Sequence, residues 1–158
     1  MPHDAALRKQ LVKLLTSGEA HADFESAIAG LPQELCGRVP YGAEYSVWQL
    51  LEHMRIALWD ILEFSRDEAH KSPEWPKEYW PEKAAPGHAS DWDKSVEAYR
   101  KLIQEVSDLI LDEKVDLFAK IPHGDGQTIL REALLVADHN SYHLGQLVMM
   151  RKLLGAWK

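Results

Sequence analysis

Apolar residues recur at steps of three and four in four stretches of the chain, and prolines and glycines fall between them. The first stretch runs from about residue 4 to 28, with Leu7, Leu11, Leu14, His21 and Ile28 on one stripe. Gly18 interrupts it, so it reads either as one helix or as two shorter ones. Leu31-Pro32 ends it, because a residue before proline leaves the α region. The second stretch spans about residues 46 to 66, with Ser46 as N-cap and Val47, Leu50, Leu51, Met54, Leu58, Ile61 and Leu62 on a broad apolar face. The third starts at Ser90, where an acid follows the capping serine by three residues, and carries Val96, Tyr99, Ile103, Val106 and Ile110. The fourth begins near Thr128 and runs to about Leu154, with Arg151 and Lys152 in its last turn and Gly155 just beyond.

Residues 67 to 89 break the pattern. Pro73, Pro76, Pro81, Pro86 and Gly87 forbid a long helix there, while Trp75, Tyr79 and Trp80 argue that part of the segment packs down. Loops this long in compact domains usually serve function, so this one is expected to lie over or beside the site, with Trp75 or Trp80 limiting what enters. No strand alternation or internal repeat stands out. The pattern predicts an all-α protein: a four-helix bundle with a long crossover between the second and third helices, forming a single domain over residues 1 to 158.

Composition narrows the partners. With 18 Lys+Arg against 25 Asp+Glu the formal charge is -7, which repels phosphate backbones, so nucleic acid is not an expected partner. The first four residues lack a basic and apolar leader, and no apolar run approaches the roughly 18 residues needed to cross a bilayer, so no membrane association is expected. A lone cysteine, Cys36, beside eight histidines fits a reducing compartment, and the expected location is cytoplasmic.

The chemistry concentrates in histidine. His139 and His143 lie four apart in the fourth helix, so their side chains stack on one face roughly 6 Å apart, within reach of one ion. Leu135, Leu147 and Met150 lie near the same stripe and turn the pair inward. His53, with Leu50 and Ala57 at helical spacing, also looks inward from the second helix. On the residues alone two readings stand: a metal site, or three satisfied core histidines in a structural or dimerising bundle. Three inward imidazoles on two helices favour the metal, because burying unpaired polar groups is costly.

Two stretches carry a resemblance. These are Trp48-Gln49-Leu50-Leu51-Glu52-His53 and Ala137-Asp138-His139-Asn140-Ser141-Tyr142-His143-Leu144-Gly145-Gln146-Leu147, separated so that 85 residues lie between His53 and His139. Together they resemble the two metal motifs of the DinB-like (YfiT/DinB) superfamily of metal-dependent enzymes, over almost the whole chain. The resemblance implies that His53, His139 and His143 are the three protein ligands of a divalent ion of the zinc, nickel or iron type. It also implies the activities found among such relatives: thiol S-transfer with a low-molecular-weight thiol, isomerisation or hydrolysis on a small-molecule substrate. Three imidazoles leave a coordination position open, which marks catalytic metal. A metal- or ligand-binding stress-response protein without turnover is the alternative. No catalytic residue is assigned.

Other residues are weaker candidates. His21 is a candidate pocket residue or fourth ligand, Tyr142 a donor to bound substrate, and Glu132, seven residues before His139, a partner that orients an imidazole. His3, His70, His88 and His123 read as solvated, and Cys36 has no base nearby in sequence. Because protons compete for imidazole, metal occupancy is expected to fall below about pH 6. Trp48, Ile56, Trp59, Leu134, Val148 and Met149 lie off the core stripes, which predicts an exposed apolar patch and a twofold homodimer, unless the crossover and Trp157 cover it.

Overall fold

The computed structural model describes residues 2–17 and 19–157, and they are all-α. Six helices occur among them: α1 (Pro2–Thr16), α2 (Phe24–Ile28), α3 (Gln33–Cys36), α4 (Val47–Arg66), α5 (Ala89–Leu111) and α6 (Ile129–Leu153). Helix α4 packs against α5 and α6, and α1 packs against the same two. Leu50, Leu51, Met54, Leu58 and Leu62 of α4 are almost wholly buried in the shared core, with Val106 and Ile110 of α5 and Val136 and Leu147 of α6. Burying each such side chain contributes about 1.5–3 kcal/mol, so α4 is the element the core is built on.

The first stretch takes the second of its two expected courses, as two shorter helices. Helix α1 stops at Thr16, and a separate helix starts at Phe24 because the Asp23 carboxylate accepts from the Ser26 N–H at 2.8 Å, an N-cap that nucleates α2. Gly18, the expected interruption, lies outside the described residues. His21 therefore sits between helices, not on a helical stripe. Helix α5 also starts earlier than expected, at Ala89, because the carboxylate closing its first turn is Asp91, which accepts from the His88 N–H at 2.8 Å. The other two starts follow the sequence. Ser46 and Gln49 form a reciprocal capping box on α4, and the Thr128 hydroxyl accepts from the Arg131 N–H on α6.

The crossover is fastened along α4 by a series of hydrogen bonds. The Ser46 hydroxyl donates to the Ala84 carbonyl and the Gln49 amide to the Pro81 carbonyl, at 2.5 and 2.9 Å. A short 3-10 turn, Lys77–Tyr79, lies against α4, and the Tyr79 hydroxyl donates to Asp60 at 2.6 Å. His70 donates to the other oxygen of Asp60 at 2.8 Å, so it is held against α4 and not solvated as expected. No helix among the described residues is long and apolar enough to cross a membrane.

Two residues of the expected surface patch are wholly or partly covered. Trp48 is buried, and Val148 packs against the core. Trp59, Leu134 and Met149 are exposed.

Candidate metal centre

Helix α4 carries His53 among Leu50, Met54 and Ala57, and α6 carries His139 and His143 one turn apart, with Leu144 and Leu147 in the core. Packing α4 on α6 brings the three rings together. The His53 Nε2 stands 3.1 Å from the Nε2 of His143 and 3.1 Å from that of His139, and one nitrogen from each ring lies within 4.8 Å of the others. Two nitrogens bound to one tetrahedral ion at about 2.0–2.1 Å stand roughly 3.4 Å apart, so this spacing matches a shared ion.

The opposite ring nitrogens decide what can lie between them. His53 Nδ1 is 3.0 Å from the Tyr79 carbonyl oxygen, which only accepts, so Nδ1 carries the proton and Nε2 is a bare lone pair. His143 Nδ1 is 2.7 Å from Gln146 Oε1, which imposes the same tautomer. A proton on His139 Nε2 satisfies its pair with His53. The His53–His143 pair then remains lone pair against lone pair in the neutral site. An electrophile relieves that repulsion, and the three-histidine group can hold a divalent metal ion. Burial keeps the rings from supplying the electrophile as protons. It holds His53 down to about 4 against the opposing effect of the Tyr79 bond, with His143 adding to the depression. Burial, then the two neighbouring imidazoles, takes His139 to about 4, and burial lowers His143 as well. The rings are neutral and ready to ligate at pH 7.

The crossover supplies the wall. Trp80 lies flat on His53, ring centroids 3.8 Å apart and planes within 3°, and Tyr45 stacks on the far face of Trp80 at 3.8 Å. Trp75 is 68% exposed and tilts toward His53 and Tyr79. The three histidines open into a cavity of about 750 Å³ whose lining includes Tyr41, Tyr45, Trp75, Trp80, Tyr142, Met149 and Leu153. The crossover thus stands beside the open end of the centre, with both tryptophans lining the approach. Trp92, by contrast, packs on the core.

Tyr142 lies at the cavity with its ring edge-on to His143, centroids 4.9 Å apart, and its side is exposed. His21 does not join the three rings: its Nε2 faces Ser141 Oγ at 3.2 Å and its Nδ1 the Ala22 carbonyl at 2.9 Å. Glu132 is buried two turns from His139 with its carboxylate on Arg131 at 2.8 Å. Cys36 is buried, which pushes its thiol up to about 11 and leaves it unreactive.

Sequence reasoning missed several members. Gln146 was legible in principle, since a residue three beyond His143 shares its face. The Tyr79 carbonyl, the Asp60 anchor and the Tyr45–Trp80 stack depend on how the crossover folds back, and no local spacing reports that.

The helices and the site define an all-α protein with three converging histidines in metal-ligating geometry. A sequence profile of the DinB superfamily matches residues 18–147, a span that includes all three. The chain belongs to the DinB superfamily. Comparison with curated proteins and with solved structures finds no match.

Proposed function

We propose that this protein is a cytoplasmic metal-dependent enzyme in which His53, His139 and His143 ligate one zinc, nickel or iron ion, acting on a small molecule as a thiol S-transferase or a hydrolase. The observation that carries the reading is the convergence of the three Nε2 atoms, two of them fixed as lone pairs, at the base of an open cavity. Such an ion, when bound, lowers the pKa of a coordinated thiol or water and makes a nucleophile available at neutral pH. The Tyr79 carbonyl and Gln146 hold the imidazoles in the ligating tautomer and orientation. The Tyr45–Trp80 stack closes one side against water, and the apolar lining holds the body of the substrate.

Thiol transfer asks least of this lining. Hydrolysis needs a proton delivered to the leaving group, and beyond the three histidines the lining offers only Glu44 and tyrosine hydroxyls for that task. The same scarcity favours, as a second reading, a metal-dependent ligand-binding protein without turnover. A screen of low-molecular-weight thiols against aryl and alkyl electrophiles, run on metal-loaded and chelator-treated protein, separates them. Transfer that disappears with the metal and returns on its restoration is the expected result. Tight ligand binding with no product from any pair, and no hydrolysis of esters or amides, supports the binding protein and overturns the enzyme.

A further inference from the structure

The cavity over the histidines has a one-sided electrostatic character. Among its lining residues are no lysine and no arginine, and Glu44 is the sole carboxylate. Glu44 is exposed and makes no ion pair or side-chain hydrogen bond with other described residues. It belongs to the same short stretch before α4 that supplies Tyr41, fully exposed, and Tyr45, stacked on Trp80. Trp75 and Tyr142 present exposed rings from the crossover and from α6. Exposed aromatic faces on three separate elements therefore surround a volume of about 750 Å³, large enough for a drug-sized molecule.

Away from the histidines, an anionic group finds no side-chain cation in the lining to replace its lost water. A carboxylate or phosphate brought to this lining meets the negative faces of aromatic rings and an unneutralised Glu44, on a chain whose formal charge is already -7. A cation meets the reverse: ring quadrupoles attract it, and a free carboxylate pairs with it. A neutral apolar ligand uses the rings but leaves Glu44 idle.

We propose that this cavity selects an organic cation, an aryl- or alkylammonium compound whose apolar body lies on Tyr41, Trp75 and Tyr142 and whose charged head is paired by Glu44. The inference rests on the reading of the three histidines as the reactive centre that such a ligand approaches, and it narrows that reading to substrates whose part away from the centre carries a cation.

The test uses three ligands sharing a phenylpropyl body: the trimethylammonium cation, its neutral tert-butyl isostere and the corresponding sulfonate. Each is titrated into metal-loaded wild-type protein and into Glu44→Gln, by calorimetry and tryptophan quenching. The cation is expected to bind wild type at least tenfold more tightly than either companion, and Glu44→Gln to remove most of that advantage while leaving the neutral isostere unchanged. A sulfonate as tight as the cation, or a neutral isostere as tight as the cation, overturns the inference. Elemental analysis of the same samples keeps the two claims apart. Lost cation preference at full metal load sinks this inference alone. Protein without metal sinks the reading of the histidines, and the titration, repeated after chelation, still reports on the cavity.

Discussion

His53 and His143 are each gripped at the ring nitrogen that faces away from the centre, and this grip makes their geometry informative. Removing an acceptor frees a ring to rotate and to change tautomer. Gln146→Leu is therefore expected to weaken metal binding by about 10–100-fold, the usual cost of losing such an outer partner, with helicity unchanged. Gln146→Glu, which keeps an acceptor at the same reach, should retain most of the affinity; equal affinity in wild type and Gln146→Leu contradicts the role. Burial also moves the acid limit of the site. The sequence alone set that limit near pH 6, but His53 and His139 are held down to about 4, so protons compete with metal only well below pH 6. In metal-free protein the unfolded chain takes up protons on these rings between about pH 6.5 and 4 while the folded chain does not. Folding stability therefore falls as pH drops through that window and is flat, as far as these groups go, above it. Urea midpoints of chelator-treated protein at pH 7 and 5 measure this. The drop should shrink in His139→Asn, and an equal drop in both proteins would count against buried neutral rings.

At the scale of elements, the crossover separates two tasks that the sequence assigned jointly to its tryptophans. Trp75 stands exposed at the cavity mouth, its ring centroid 6.4 Å from that of His53, whereas Trp80 is stacked on His53 at 3.8 Å. Trp75→Ala is expected to weaken ligand binding several-fold with metal affinity unchanged. Trp80→Ala should weaken both, because it removes the surface that fixes the His53 ring. Competition titrations against a metal chelator and against a bound ligand distinguish them, and equal loss of metal in the two variants defeats the assignment. The helix starts at Ser46 and Thr128 were legible because their caps lie next to an uninterrupted apolar period. A break near Gly18 was legible as one alternative, but the restart at Phe24 and the start at Ala89 were not, since Asp23 and Asp91 compete with other plausible caps a few residues away. The inward face of all three histidines was readable from helical spacing. The Asp60 anchor of Tyr79 and His70 was not, because it joins residues across a proline-broken segment with no period.

Across the whole molecule, two buried arginines show where pattern reading stops. Arg8 donates to the carbonyls of Ile110 and Val115, both at 2.6 Å, and Arg151 to those of Ala27 and Ala29, at 2.6 and 2.7 Å. Each ties a helix to the end of another, a role that a charged letter in a helical pattern does not announce. The surface raises the question of self-association. Burial of Trp48 removes one of the two tryptophans from the expected patch, and Met149 belongs to the cavity lining, but Trp59 and Leu134 stay exposed outside it. We propose a twofold dimer that covers Trp59 and Leu134, since large exposed apolar residues outside a binding cavity are what an interface buries. Light scattering should show a mass that rises toward twice 18.0 kDa with concentration, and Leu134→Lys should hold the protein at the monomer mass; 18.0 kDa at every concentration refutes the dimer.

Everything proposed for this cavity depends on three imidazoles of α4 and α6 holding one divalent ion. Elemental analysis of protein purified without a histidine tag tests it most directly, with His143→Ala as the control. Wild type is expected to carry a single divalent metal ion per chain, and His143→Ala to lose it almost completely at unchanged far-ultraviolet circular dichroism. Metal-free wild type that also fails to take up added zinc, nickel or iron, or a His143→Ala protein that retains metal as well as wild type, contradicts it.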